Sequence, residues 1–206
     1  MRYTGPKNKI ARREGIDLGL KTPGSKSHER LLKRLNISPG QQGKRGRRKF
    51  SDHARQLREK QKLRYMFQLS EKQLKKYFNQ AVIKKGNTAL HLARFLEKRL
   101  DNVIFRAGIA PTRASARQLV THGHIKLDDR IISIPSYQVK KDDIITFSNE
   151  SVRKIPYIER MLENKDILLP NWIERKATIC KVVSEPISEE IEKQITLRLV
   201  IEHYSR

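Results

Sequence analysis

The fold is decided by LEKRLDNVIFRAG at residues 96–108, PTRASARQLVTHGHI at 111–125 and IPSYQV at 134–139. Ala89, Ala93, Leu96, Leu100 and Val103 recur every three or four residues, the spacing of one helical face. They predict a helix opened by Asn87 or Thr88 and stopped at Gly108, a residue suited to a left-handed C′ position. Thr112 caps a second, short helix through Thr121. That helix sets Ala116, Leu119 and Val120 on one side and Arg113, Arg117, Gln118 and Thr121 on the other, and Gly123 closes it. The pattern then becomes strand-like. Ile125 to Leu127 and Ile131-Ile132 flank Asp128-Asp129-Arg130, a hairpin tip, and Ile144 to Phe147 follows the turn at 140–143.

The flanking sequence is mostly helical and highly charged. Residues 51–64 predict a helix capped by Ser51. Residues 70–84 predict another, opened by the capping box Ser70-Glu71-Lys72-Gln73, with Leu74, Phe78, Ala81 and Val82 facing a core. Tyr65, Phe67, Tyr77 and Phe78 have the spacing of core residues more than of a base-stacking platform. Beyond the strands, the pattern predicts a helix at 156–163, a strand at 178–183, a short helix at 188–192 and a strand at 196–201. Residues 1–50 are punctuated by Gly and Pro, and their apolar residues follow no period. They are expected to form a basic arm without its own core, ordered mainly against a partner.

Charge narrows the function. The chain of 206 residues carries 45 Lys and Arg against 22 Asp and Glu, a net +23. Residues 1–85 hold 25 of those cations and only 6 acids. Such asymmetry points to a polyanion, and above all to nucleic acid, at the first half. No apolar run approaches the ~20 residues of a membrane span. The opening Met-Arg-Tyr-Thr-Gly-Pro has no secretory h-region, so a cytoplasmic protein is expected. With one cysteine, Cys180, neither a disulfide framework nor a multi-cysteine zinc site can form within the chain. His122-Gly-His124 lacks an evident third ligand, so neither metal nor cofactor is expected.

The three stretches quoted first closely resemble the S-four RNA-binding domain. Arg2 to Pro6, Arg12 to Gly15, Pro39 to Gly43, Gln56 to Lys62, Tyr77-Phe78 and Glu202 to Arg206 extend the resemblance to the bacterial S-four ribosomal proteins over nearly the whole chain, in a zinc-free form. The resemblance implies an α+β fold in three parts. These are a basic N-terminal arm (1–50), a helical ribosomal-RNA-binding domain (51–95) completed by residues 165–206, and an inserted S-four-type domain (96–164) of two helices and short antiparallel strands. It departs from the family at Gln42, often His, and at Asp128-Asp129, often Asn-Gly. Asp-Asp is a poorer tight turn, so a longer loop is expected there.

The resemblance implies no catalysis and no small-molecule substrate. It implies binding of the 5′ domain of small-subunit ribosomal RNA, early in subunit assembly, beside the S-five ribosomal protein and near the messenger RNA entrance. Expected RNA contacts in the basic half are Arg12, Arg13, Lys44, Arg45, Arg47, Arg48, Arg55, Arg58, Lys62, Lys72 and Lys75. In the S-four-type domain they are Arg113, Arg117, Gln118, His122, His124 and Lys126. Two alternatives share that domain, a stand-alone RNA-binding regulator and an RNA-modifying enzyme. The enzyme reading has only Arg99-Leu100-Asp101 in common with pseudouridine synthases. It also leaves about 55 residues after the strands, too few for a catalytic domain.

Overall fold

The computed structural model describes residues 3–41, 50–164, 168–186, 191 and 194–205. The chain divides into two compact units, residues 1–93 with 188–206 and residues 94–187.

The first unit is helical. Its elements are α1 (Lys7–Glu14), α2 (Lys26–Leu32), α3 (Asp52–Met66), α4 (Glu71–Ile83) and the terminal α9 (Leu197–Tyr204). The Ser51 hydroxyl accepts from Ala54 N at the start of α3, and Ser70 with Gln73 completes the capping box of α4. The arm is more structured than its irregular pattern suggests. Ile10, Ala11, Leu18, Leu20 and Leu31 are all buried. They lack a period because they come from two short helices and the loop between them, each offering one or two side chains. In α4, Leu74, Phe78 and Ala81 face the core, whereas Val82 is exposed.

The end of the chain also departs from expectation. Residues 197–204 form helix α9, not a strand, and pack on α3 and α4. Alternation at Ile195, Leu197, Leu199 and Ile201 imitates a strand, but Leu197 and Val200 are the buried pair, at helical spacing. The expected short helix at 188–192 falls mostly outside the described residues.

The second unit packs helices on an antiparallel sheet. The helix expected from 88 to 107 is broken in two, α5 (Thr88–Glu97) and α6 (Leu100–Arg106). Arg99 takes an extended conformation and bridges Gln138. Val139 N donates to Lys98 O, and Leu100 N donates to Tyr137 O. The IPSYQV stretch therefore competes for the backbone at 98–100, satisfying groups that a continuous helix would have used internally. Helix α7 (Arg113–Thr121) packs on α6.

Strands β1 (Ile125–Leu127), β2 (Arg130–Ile131), β3 (Ile144–Phe147), β4 (Ile173–Lys176) and β5 (Ile179–Val182) form one sheet in the order β2-β1-β3-β5-β4. A 3₁₀ turn (Glu150–Lys154) and α8 (Pro156–Glu163) lie between β3 and β4. The β1–β2 loop is tight. Leu127 pairs with Arg130, and Asp128 and Asp129 take φ of +45° and +67°. Aspartate tolerates this left-handed region better than most residues, and Asp128 Oδ1 also accepts from Ile144 N at 3.0 Å. Those two effects remove the need for the longer loop.

Assignment of all of 165–206 to the helical domain is corrected for its first part. Strand β5 pairs with β3 in the register Ile145↔Cys180, so β4 and β5 extend the sheet of the second unit. Arg175 on β4 donates to the carbonyls of Ala107 and Gly108, groups that the end of α6 leaves without helical partners. Cys180 lies wholly inside this core, and burial pushes its thiol up to about 12.

The core carries buried charges. Asp101 receives Arg99 Nε (3.0 Å) and Nη2 (2.7 Å), and also Arg117 Nη2 (2.6 Å). Glu97 receives Asn102 Nδ2 (2.6 Å) and Arg106 Nη2 (2.9 Å), while Asn102 Oδ1 receives Arg113 Nε (2.8 Å). These bonds tie the end of α5, the α5–α6 break, α6 and α7 together. Truncating one partner of such a pair strands the others in a low-dielectric interior, which costs about 3–5 kcal/mol. Asp101→Ala is therefore expected to lower unfolding free energy by about that amount. Urea denaturation followed by circular dichroism checks this, and a loss under about 1 kcal/mol would show the triad to be dispensable.

Candidate nucleic-acid interface

In the first unit the buried Glu14 and the partly covered Glu59 and Glu71 hold cations of α3, whereas Glu29 and Asp52 are exposed. Arg58 Nη1 donates to the buried Glu14 at 3.0 Å. Lys62 Nζ donates to Glu59 at 2.6 Å, and Glu59 also accepts from Thr196 N on the approach to α9. The buried Lys60 and the Tyr204 hydroxyl both donate to Glu71 Oε1, at 2.9 and 2.8 Å. Gln56 donates to Glu202. Tyr204 also stacks on Phe78 at 4.9 Å.

These pairings sort the expected RNA-contacting cations. Arg13, Arg55, Lys72 and Lys75 are exposed, and among the described residues Arg55 makes only a long 3.8 Å contact, to Asp52. Arg12 donates to the carbonyls of Ile37 and Ser38, clamping the chain beyond α2. Arg58 and Lys62 are partly covered and engaged by carboxylates. The regular i, i+3, i+7 series at 55, 58 and 62 thus presents one open arginine and two braced cations. Lys44, Arg45, Arg47 and Arg48 lie outside the described residues. Lys76, exposed one turn beyond Lys72, belongs to the same basic face and was signalled by its i+4 spacing.

The second unit offers the corner between α7 and β1. Gln118 and His122 are exposed there, and His124 and Lys126 are half-exposed. The two imidazoles have ring centroids 5.9 Å apart. Arg117 is partly exposed, but its guanidinium is held by Asp101. Arg113 is a correction. It is 6 % exposed, lies 4.4 Å over the Phe105 ring and is bonded to Asn102. A helix as short as α7 buries its first turn against α6, so Arg113 braces the core and does not reach outward. Sequence reading also missed the partners Glu97, Asn102 and Arg106. Their only signal was a density of polar residues inside an apolar series.

The aromatic residues with core spacing are placed mostly as expected. Phe67, Tyr77 and Phe78 are buried, whereas Tyr65 stays half-buried beneath Arg64, whose guanidinium carbon lies 4.5 Å from its ring centroid. Phe50, not singled out by spacing, is exposed and lies 5.6 Å from the Arg58 guanidinium carbon. Its place directly after the 44–49 basic run was the available signal.

Exposed cations in excess of carboxylates, together with an amide, imidazole and ammonium corner on an α–α–β unit, define a protein that binds structured RNA. Comparison with known proteins gives the family. Residues 2–97 match the family described as "Ribosomal protein S4/S9 N-terminal domain", and residues 98–145 match "S4 domain". The chain is 39 % identical to a protein of Chlorobium phaeovibrioides over all of its length and 99 % of that relative's. It is 43 % identical to one of Persephonella marina over 99 % of the chain and 98 % of the relative. A relative from Aquifex aeolicus is 42 % identical over 100 % and 99 %. Each is named "Small ribosomal subunit protein uS4". The chain belongs to the uS4 family of ribosomal proteins, which is structural and not enzymatic.

The Glu71 cluster gives this surface a pH dependence. Burial alone would raise the Glu71 carboxyl, but hydrogen bonds from Lys60 and Tyr204 and the charges of Lys60 and Arg64 hold it below the ordinary range. A depressed carboxyl stabilises the fold above its unfolded pKa, and that contribution is lost as pH falls through the folded value. Glu14 shifts the other way, raised by burial against the pull of Arg58. Its contribution is present at low pH and lost as pH rises through its folded value. Glu71→Gln is expected to lower Tm at pH 7 and to shrink the further fall in Tm on acidification. Thermal unfolding of both proteins from pH 7 to pH 3 tests this, since Glu14 titrates equally in each. Parallel Tm curves would show that Glu71 contributes nothing.

Proposed function

We propose that the protein binds the 5′ domain of small-subunit ribosomal RNA early in assembly, joining several RNA helices and so helping to nucleate the body of the subunit. The observation that carries this reading is the similarity of about 40 % to proteins named for the small ribosomal subunit, over essentially their whole length. It is supported by the segregation of charge, with the exposed cations of α3 and α4 available to phosphates and counterion release driving affinity.

In this reading Arg13, Arg55, Lys72 and Lys75 supply phosphate contacts, with Arg12, Arg58 and Lys62 close behind them. Lys44, Arg45, Arg47 and Arg48 add their charge to RNA binding. Gln118, His122, His124 and Lys126 meet a second RNA element, with Arg117 braced beside them. The helical unit and the S-four-type unit act as two RNA-contacting bodies of one chain. The protein works in the cytoplasm within the small subunit, contacts the S-five ribosomal protein in an interface tied to decoding accuracy, and lies near the messenger RNA entrance.

Ultraviolet crosslinking in the protein's own cells, with sequencing of the attached RNA, tests the proposal. Crosslinks concentrated in the 5′ domain of small-subunit ribosomal RNA are expected. Crosslinks chiefly to transfer RNA, large-subunit RNA or scattered messages would overturn it in favour of a stand-alone RNA-binding regulator.

A further inference from the structure

A groove runs between α1 and α3 beneath Phe50. One part, of about 400 Å³, is floored by Ile10, Ala54 and Leu57 and walled by Phe50, Tyr65 and Arg64. A second part, of about 200 Å³, continues past Arg13, Arg55 and Lys62. Glu14 and Arg58 line both parts. The first part alone falls in the size range of small-ligand sites.

The groove's chemistry is unusual for a surface that needs only to hold phosphates. Phosphate contacts require cations, not an apolar floor. Here Phe50 and Leu57 stay exposed in the most basic region of the chain, where an apolar face without an occupant is left against water. Two aromatic rings, each with an arginine against it, offer flat surfaces to a planar ring. Glu14 lines both parts, but its side chain is 2 % exposed and is bonded to Arg58. A planar ring attached to a phosphate matches the apolar and the cationic sides of this groove.

We infer that the groove holds one unstacked nucleotide of the bound RNA, its base on the Phe50 and Leu57 side and its phosphate toward Arg13 and Arg55. The protein then holds a base as well as a backbone in its helical unit. This inference rests on the proposal that the RNA is the ribosomal 5′ domain.

The test uses the full-length protein and a transcript of that domain. Chemical probing locates an unpaired nucleotide protected by the protein, and binding is measured over a range of salt. Phe50→Leu keeps an apolar side chain at a partly exposed site and removes the ring. It is expected to weaken binding about tenfold, the loss of one base–aromatic stack. The salt slope is expected to stay unchanged because no phosphate contact is lost, and protection is expected to vanish at that one nucleotide alone. Making the same nucleotide abasic should weaken the wild type about tenfold and Phe50→Leu hardly at all, a coupling that general unfolding does not produce. Tight binding of the transcript by wild type and Phe50→Leu alike would overturn the groove while leaving the ribosomal reading intact. The same holds if the abasic change weakens both proteins equally. Failure of the wild type to bind the transcript would remove both.

Discussion

Everything in the helical unit depends on how a handful of carboxylates is used against a large excess of positive charge. Residues 1–85 carry 25 cations and 6 acids, and self-repulsion on that scale opposes a compact state. Glu14, Glu59 and Glu71, joined by Glu202 from α9, lie along α3 and hold Arg58, Lys62, Lys60 and Gln56. The pairs from Glu14, Glu71 and Glu202 reach α3 from other helices and tie those helices to it. The cations left exposed outnumber the exposed carboxylates. The fold and the candidate RNA-binding face draw on one distribution of charge.

The second unit solves a different problem. Its helices are short, and short helices bury few apolar side chains each. Asp101 and Glu97 supply the missing cross-links, each holding two partners from the α5–α6 break, α6 and α7. Arginine suits this because its planar fork makes several bonds in fixed directions. The consequence for function is indirect but strong. With Arg113 and Arg117 held by the core, the outward residues of the α7–β1 corner are left to polar groups of modest charge. That corner is suited to recognising RNA shape and 2′-hydroxyls more than to neutralising phosphates.

Much of this was legible in the sequence. The helix–helix–strand order of residues 96–147, the caps at Ser51, Ser70 and Thr112, and the charge asymmetry all follow from local chemistry. What was not legible depended on distant partners. The break at Arg99 needs the strand-like segment at 137–139. The burial of Arg113 needs Asn102, and the helicity of 197–204 needs the α3 surface, because its alternating pattern alone favours a strand. The Asp128-Asp129 turn stays tight through an acceptor that serves Ile144. In the candidate interface, exposure of Arg55 and engagement of Arg58 could not be told apart, since both sit on one regular helical series.

The central claim is that the outward cations of α3 and α4 bind phosphate. Its most direct test is the salt dependence of binding to the 5′-domain transcript by the wild type and by a chain with Arg55, Lys72 and Lys75 all changed to Gln. None of the three braces the core, so the fold should persist. Each lost phosphate contact lowers the slope of log K against log salt by about 0.7–0.9, and the account predicts a slope shallower by about two to three. An unchanged slope with unchanged affinity would contradict it.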